Sequence, residues 1–412
     1  MRLGSRGRLA LAAAALGLVG AQAIASPAAG RPLADDGYGK DSWWYQAMGL
    51  AEAHKISTGK GVTIAVIDGP IDLSVPELKG QDVKAVKSFC SNKPTGTGAI
   101  ANHATSVVVN IIGNGKGTTA GGVGVAGVAP DATVRTYSVD DSAREGLQCT
   151  ADPGDRLGEA IDAAVNDGAQ IINLSVGGPT STKQLDEALL QALQRDVVVV
   201  AAAGNGPEDK AVNYPAAYPG VVAVAAVDRH AQPWKNNVEG NREAFVISAA
   251  GVDLQTGGFD GNRWRSDARA DGTSGAAPLV AGGLALVRAK YPDASANQLI
   301  QHLIHNPGGT RTFGKDLETG YGVISVPKLL ASDPTRWPDV NPLVAGEAAA
   351  TPDGSATAGQ VNGTPVSAAG EADEGGSSMG LLASGLGLLI VVGAAAAFIL
   401  SRRRSAVGGG HG

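Results

Sequence analysis

Residues 272–278 read Gly272-Thr273-Ser274-Gly275-Ala276-Ala277-Pro278. An apolar pattern at helical spacing follows, through Leu279, Ala281, Leu284, Leu286 and Val287. The stretch sets a hydroxyl at the mouth of a helix. First-turn backbone N–H groups have no intrahelical partner there and can receive an oxyanion. The small neighbours let a substrate carbonyl come close. A Ser/Thr pair at a helix start also serves as an ordinary cap. The choice between cap and nucleophile depends on whether a histidine and an aspartate stand upstream in fitting contexts.

Working outward, Asp68 ends the run Val62-Thr63-Ile64-Ala65-Val66-Ile67. An apolar, β-branched run of this kind is predicted as a fully buried strand. A carboxylate at its carboxyl end lies where open α/β sheets place their sites, and it can orient an imidazole. A strand-end turn would use the same residue. His103 stands in Asn102-His103-Ala104-Thr105-Ser106-Val107-Val108 and is one of six histidines. His54 lies in an aromatic lead-in, His230 follows Asp228, His302 and His305 fall on a late helix, and His411 is in the tail. Only His103 opens an apolar segment beside small polar residues, as a general base at a helix start would. Asn205 closes Val199-Val200-Ala201-Ala202-Ala203-Gly204. Its amide could donate to a tetrahedral oxyanion, an effect worth roughly 3–4 kcal/mol, although Gly-Asn is also a common turn.

The rest of the chain alternates in type. Thr133–Val139, Ile171–Leu174, Val197–Ala203 and Val221–Val227 are predicted strands. Leu157, Ile161, Ala164 and Val165 recur at helical spacing. So do Leu185, Ala188, Leu189, Ala192 and Leu193, with Ser181 as candidate N-cap. Ser295 opens a last helix. Val107–Ile112 fits either strand or helix, and the glycine-rich run Gly113–Gly127 reads as a loop. Trp43, Trp44, Tyr45, Met48 and Leu50 could pack a short helix onto the body. Strands alternating with helices imply an α/β fold of three layers, a mostly parallel sheet with helices on both faces.

Both ends differ from the body. Arg2, Arg6 and Arg8 precede an apolar run closed by Ala23-Ile24-Ala25, which reads as a signal peptide over residues 1–25. Residues 26–42 form an N-terminal extension and 43–335 the main domain. Residues 336–378 are a low-complexity stalk, poor in the residues that build a core. Residues 379–400 carry no charge and are long enough for one transmembrane helix. Arg402, Arg403 and Arg404 open the basic tail 401–412 and hold that end in the cytoplasm. The body is therefore expected outside the cytoplasm on a single anchor. Roughly 310 residues remain outside the membrane, enough for one large core. A net charge of −6 argues against a nucleic-acid partner. Cys90 and Cys149 are the only cysteines, and an isolated pair in an exported chain reads as a disulfide.

The order Asp68, His103, Asn205, Ser274 resembles the subtilisin-like serine proteases, the subtilases. The matching blocks are Ala65-Val66-Ile67-Asp68, Ala203-Gly204-Asn205 and Gly272–Pro278 extended by Val280-Ala281-Gly282. Further matches are Gly127-Val128-Ala129-Pro130, Asn173-Leu174-Ser175-Val176-Gly177, Tyr214-Pro215-Ala216 and Gly320-Tyr321-Gly322. The layout of signal peptide, aromatic lead-in, protease, stalk, anchor and basic tail is similar to the mycosins, the membrane-anchored subtilases of actinobacterial type VII secretion. Three departures stand out. Asp68 is followed by Gly69-Pro70 where the family usually has Thr-Gly, His103 by Ala104 where it usually has Gly, and Val108 and Val109 replace residues that are often smaller.

The resemblance implies a serine endopeptidase acting on polypeptides. Asp68, His103 and Ser274 would be its triad, and Asn205 with the Ser274 N–H its oxyanion hole. Ser175, Val176 and Gly177 would receive the substrate backbone, and Ala202, Ala203 and Gly204 would line a side-chain pocket. No cofactor or metal is required for that chemistry, and no acidic loop with calcium-ligand spacing is evident. A structural component of a secretion complex with an idle cleft, or a peptide-binding module, would keep the same fold. An α/β-hydrolase is disfavoured, because Ser274 lacks the G-x-S-x-G elbow.

Overall fold

The computed structural model describes residues 39–91, 93–140, 149, 151–309 and 313–345. The expected signal peptide, the transmembrane span at 379–400 and the basic tail lie outside the described residues. So does the stalk beyond residue 345. Among the described residues, no helix is long and apolar enough to cross a membrane.

Seven strands form one parallel sheet: β1 (Thr63–Asp68), β2 (Val83–Ser88), β3 (Thr133–Ser138), β4 (Ile171–Leu174), β5 (Val198–Ala202), β6 (Val222–Val227) and β7 (Ile247–Ala250). Their order is β2-β3-β1-β4-β5-β6-β7, with every pair parallel. The central strands read as mostly apolar runs because both faces are covered, with Asn173 in β4 a polar exception. Every residue of β4 and β6 is buried, where a half-exposed strand would alternate. The chain builds β2 and β3 on one side of β1 and then crosses to β4 on the other. That reversal opens a crevice at the carboxyl ends of β1 and β4, the usual place for a site in such a sheet.

Five helices matter for the site and its support: α1 (Asn102–Ile112), α2 (Pro153–Asn166), α3 (Lys183–Gln194), α4 (Thr273–Lys290) and α5 (Ala296–His305). α4 is apolar all round, with even Arg288 nearly buried. It packs on α1 and over β4, β5, β6 and β7, as a helix without a polar face must. α2 and α3 pack on each other.

The structure settles Val107–Ile112 as helix, part of α1. The glycine-rich run is not wholly a loop: Asn114–Lys116 pairs antiparallel with Val123–Ala126. The cap of α3 is Thr182, whose hydroxyl accepts from the Leu185 N–H at 3.2 Å, not Ser181. Ser181 instead donates to Asp186 Oδ1, a side chain of the first turn rather than one of its backbone N–H groups. Ser295 does cap α5, in a reciprocal box with Gln298. The chain after residue 335 stays on the body as far as 345. There Gln298 Nε2 donates to the Trp337 carbonyl and Gln301 Nε2 to that of Val340.

The aromatic lead-in is buried, with Trp44 and Leu50 fully so. Trp43 Nε1 donates to the Asp253 carbonyl at 3.0 Å, and the Gly39 N–H to Gln255 Oε1 at 2.9 Å. Cys90 and Cys149 are joined by a disulfide, Cα to Cα 4.8 Å.

Candidate active site

Asp68 is the last residue of β1 and is 2% exposed. Its carboxylate accepts the Gly69 N–H at 2.7 Å. His103 sits in the first turn of α1, where Asn102 Oδ1 accepts the Phe259 N–H and Ser106 Oγ donates to the Gly257 carbonyl. Those two bonds staple the helix start to the 257–259 segment. His103 Nδ1 lies 2.8 and 2.9 Å from the two Asp68 carboxylate oxygens. A carboxylate only accepts, so Nδ1 carries the proton and Nε2 is left with the lone pair a base needs. The imidazole is 49% exposed at its far side. Burial against the protein lowers its pKa, but the charge and hydrogen bond of Asp68, with the charge of Asp140, win, and the pKa is raised.

The three sequence departures leave this pair intact. Ala104 is 1% exposed and Val108 and Val109 are fully buried, so these side chains point into the core, whereas the imidazole faces out. Gly69 keeps its hydrogen bond to Asp68, and Pro70, which follows, has no N–H to offer it.

Gly272 and Thr273 bring Ser274 to the head of α4. Thr273 donates from N–H and from Oγ to Asn205 Oδ1, each at 2.9 Å, and Thr273 Oγ accepts the Gly204 N–H at 3.1 Å. The Asn205 N–H is held by Asp209 Oδ2 at 2.7 Å. With Oδ1 committed to two donors, the Asn205 amide can have only one orientation. Nδ2 then has no partner among the described residues. In the same turn, the Gly275 N–H reaches the Gly272 carbonyl, while the Ser274 N–H is also without a partner among the described residues. A methyl placed on Gly272 would lie 3.3 Å from Ser274 Oγ and 3.6 Å from Asn205 Nδ2. Hydroxyl and amide therefore border the same small space. Among the described residues no hydrogen bond joins Ser274 Oγ to His103, and catalytic hydrogen bonds of this kind often close only around substrate.

The remaining sequence-selected residues gather nearby. Ser175 follows β4 and is nearly buried, Val176 is part exposed and Gly177 exposed. The next residue, Gly178, exchanges backbone hydrogen bonds with Tyr214 at 2.9 and 2.8 Å. Of Ala202, Ala203 and Gly204, only Ala202 reaches the surface, and that partly. Three other histidines, His54, His302 and His305, have structural partners. His54 Nε2 donates to the Val128 carbonyl, and His302 Nε2 to that of Leu329. Sequence reasoning did not find Thr273, Asp209 and Asn102 as supports. Thr273 had a signal, lying inside the quoted motif beside Ser274; Asp209 had none. Among the described residues no group of three or more His, Cys, Asp or Glu side chains could hold a metal ion.

Residues 59–322 match the Peptidase S8 family model, the subtilase family. A thermostable alkaline protease of Halalkalibacterium halodurans is 34% identical over 262 residues, 63% of this chain and 66% of that protein. The chain thus spans just under two thirds of that relative. Subtilisin BL of Lederbergia lenta is 32% identical over 67% of this chain and 95% of its own length. Among solved structures, the MycP3 protease from the type VII (ESX-3) secretion system is 28% identical with a TM-score of 0.58. That match covers 73% of this chain and 90% of the other.

Proposed function

Since this chain belongs to the subtilase family, whose curated relatives are serine proteases, we propose that it is a serine endopeptidase acting outside the cytoplasm through Asp68, His103 and Ser274. Ser274 Oγ attacks a peptide carbonyl while His103 Nε2 takes its proton. Asp68 holds the imidazole in the required tautomer and stabilises it once charged. The carbonyl oxygen, becoming negative, takes hydrogen bonds from the Ser274 N–H and Asn205 Nδ2. His103 then gives its proton to the leaving amine, and water, deprotonated by the same nitrogen, releases the acyl group. Substrate backbone adds as an extended strand along Ser175, Val176 and Gly177. Ala202 lines a neighbouring side-chain pocket over buried Ala203 and Gly204.

The observation that carries this reading is that Asn205 Nδ2 and the Ser274 N–H, two donors with no partner among the described residues, stand beside the Ser274 hydroxyl. Labelling with a fluorophosphonate tests it. The wild type should react and Ser274→Ala should not. A folded wild type that stays unlabelled would sink the enzymatic reading and leave a scaffold or peptide-binding module.

The finer placement is also our proposal. Residues 1–25 are a signal peptide, 26–42 an extension and 43–335 the peptidase domain; of the segment 336–378, residues 336–345 rest on that domain and the remainder is a stalk. Residues 379–400 anchor the chain and 401–412 face the cytoplasm. The likeness to the MycP3 protease supports an association with a type VII secretion system. Co-purification of the full chain with membranes, and its release when residues 379–412 are deleted, checks the anchor.

A further inference from the structure

Pro278 lies inside α4, four residues after Ser274. In a regular helix the N–H of residue 278 would donate to the carbonyl of residue 274. Proline has no N–H, and its ring crowds that carbonyl. The Ser274 carbonyl is nevertheless paired, because Ser175 Oγ donates to it at 2.9 Å. Ser175 Oγ in turn accepts from Asn173 Nδ2 at 3.1 Å. Asn173 is fully buried and Ser175 is 6% exposed, so water does not readily replace this chain of bonds. A serine hydroxyl has one proton to give, and the Asn173 amide on its oxygen side directs that proton toward Ser274.

The consequence is local rigidity at one residue. On the near side, Thr273 is anchored to Asn205 by its side chain and by its N–H, which belongs to the peptide unit before Thr273. The peptide unit after Ser274 is fixed by Ser175. With Thr273 anchored on one side and the Ser274 carbonyl on the other, rotation about the Ser274 Cα–Cβ bond is the main freedom left to aim Oγ.

We infer that Ser175 is a positioning residue for acyl transfer: its hydroxyl replaces the helical hydrogen bond that Pro278 deletes and holds Ser274 for attack. This rests on the proposed role of Ser274 as nucleophile. Ser175 also begins the segment proposed to receive substrate backbone. A bound strand therefore bears on the residue that steadies the nucleophile.

The test is a cycle of Ser175→Ala, Pro278→Ala and their combination in the full chain, read by fluorophosphonate labelling rate and by kcat and KM on a peptide substrate. Ser175→Ala should lower kcat and the labelling rate about tenfold or more with KM little changed, since a misplacement of 1 Å can cost about 100-fold. Ser175→Thr, which keeps a hydroxyl, should retain more of the rate. Adding Pro278→Ala to Ser175→Ala returns a backbone N–H to the Ser274 carbonyl and should recover most of the loss. Should Ser175→Ala alone not fold, the combined variant carries the test, with labelling within about threefold of wild type expected. Equal labelling of wild type and Ser175→Ala, or no recovery in a folded combined variant, would overturn the inference and leave the nucleophile assignment standing. A wild type that never labels would remove both.

Discussion

Thr273 makes two hydrogen bonds to one atom, Asn205 Oδ1, from its N–H and from its hydroxyl, each 2.9 Å long. Both are donors, so the amide oxygen must face Thr273 and the NH2 must face the space beside Ser274. Asn205→Ala should then lower kcat by about 100- to 1000-fold with KM nearly unchanged, the usual loss when one oxyanion donor is removed. Thr273→Val removes one of the two bonds and frees the amide to turn, so its loss should be smaller but of the same kind. Steady-state kinetics on a peptide substrate checks both. An Asn205→Ala enzyme that keeps wild-type kcat would rule the amide out of the reaction.

The Asp68–His103 contact sets a direction for pH dependence. The pKa of His103 is raised, because the charge and hydrogen bond of Asp68 outweigh the effect of burial. Catalysis needs neutral Nε2, so kcat/KM should fall on acidification through a value above the ordinary histidine range near 6.5. Asp68→Asn removes the charge, so the acid limb should move to lower pH while the rate drops about 10⁴-fold. Stability runs the other way. A raised histidine pKa means the folded state binds the proton more tightly, so this pair stabilises fully below the unfolded value and less as pH rises through the folded one. Melting temperature against pH for wild type and Asp68→Asn should converge at high pH. An acid limb unchanged in Asp68→Asn would contradict the electrostatic coupling.

Strands and site residues were legible for one shared reason. Buried parallel strands are mostly apolar, so the polar residue ending each run stands out: Asp68 at the end of β1, Ser175 after β4 and Asn205 shortly after β5. α1 was not separable from a strand, since Val107–Ile112 is apolar apart from Asn110 and only packing on α4 decides. The Asn114–Lys116 ribbon was hidden because its stability comes from cross-strand partners, not from a periodic pattern. Ser181 and Thr182 are adjacent hydroxyls that can both cap a helix, serine by propensity somewhat the better, and a one-residue difference in position decides for Thr182. The supports of the site were illegible in a deeper sense. The bond of Phe259 to Asn102 joins residues 157 apart and forms only when the chain has folded, while Asp209, four residues after Asn205, has a spacing that many turn aspartates share.

The Cys90–Cys149 bridge ties the residues after β2 to those after β3 across a sequence separation of 59. A loop of that length can contribute roughly 4 kcal/mol through the unfolded chain. Cys90→Ser/Cys149→Ser should therefore lower Tm by roughly 5–10 °C, and a reductant should lower the wild type similarly without further effect on the variant. Calorimetry in the two redox states checks this. Equal Tm values for oxidised wild type and the double serine variant would show that the bridge adds nothing.

Gly272 joins stability and chemistry at one residue. Its φ of 152° and ψ of 155° fall in a region that essentially only glycine occupies, and another residue there costs of order 1–3 kcal/mol. The added methyl of Gly272→Ala would also sit 3.3 Å from Ser274 Oγ and 3.6 Å from Asn205 Nδ2, in the space proposed for the substrate oxygen. The variant should lose a few degrees of Tm, and its kcat/KM should fall by more than 100-fold, beyond what unfolding explains. Measuring kcat/KM well below the variant's Tm separates the two effects. A folded Gly272→Ala enzyme with near-wild-type turnover would mean that the space between Ser274 and Asn205 is not where the tetrahedral oxygen goes.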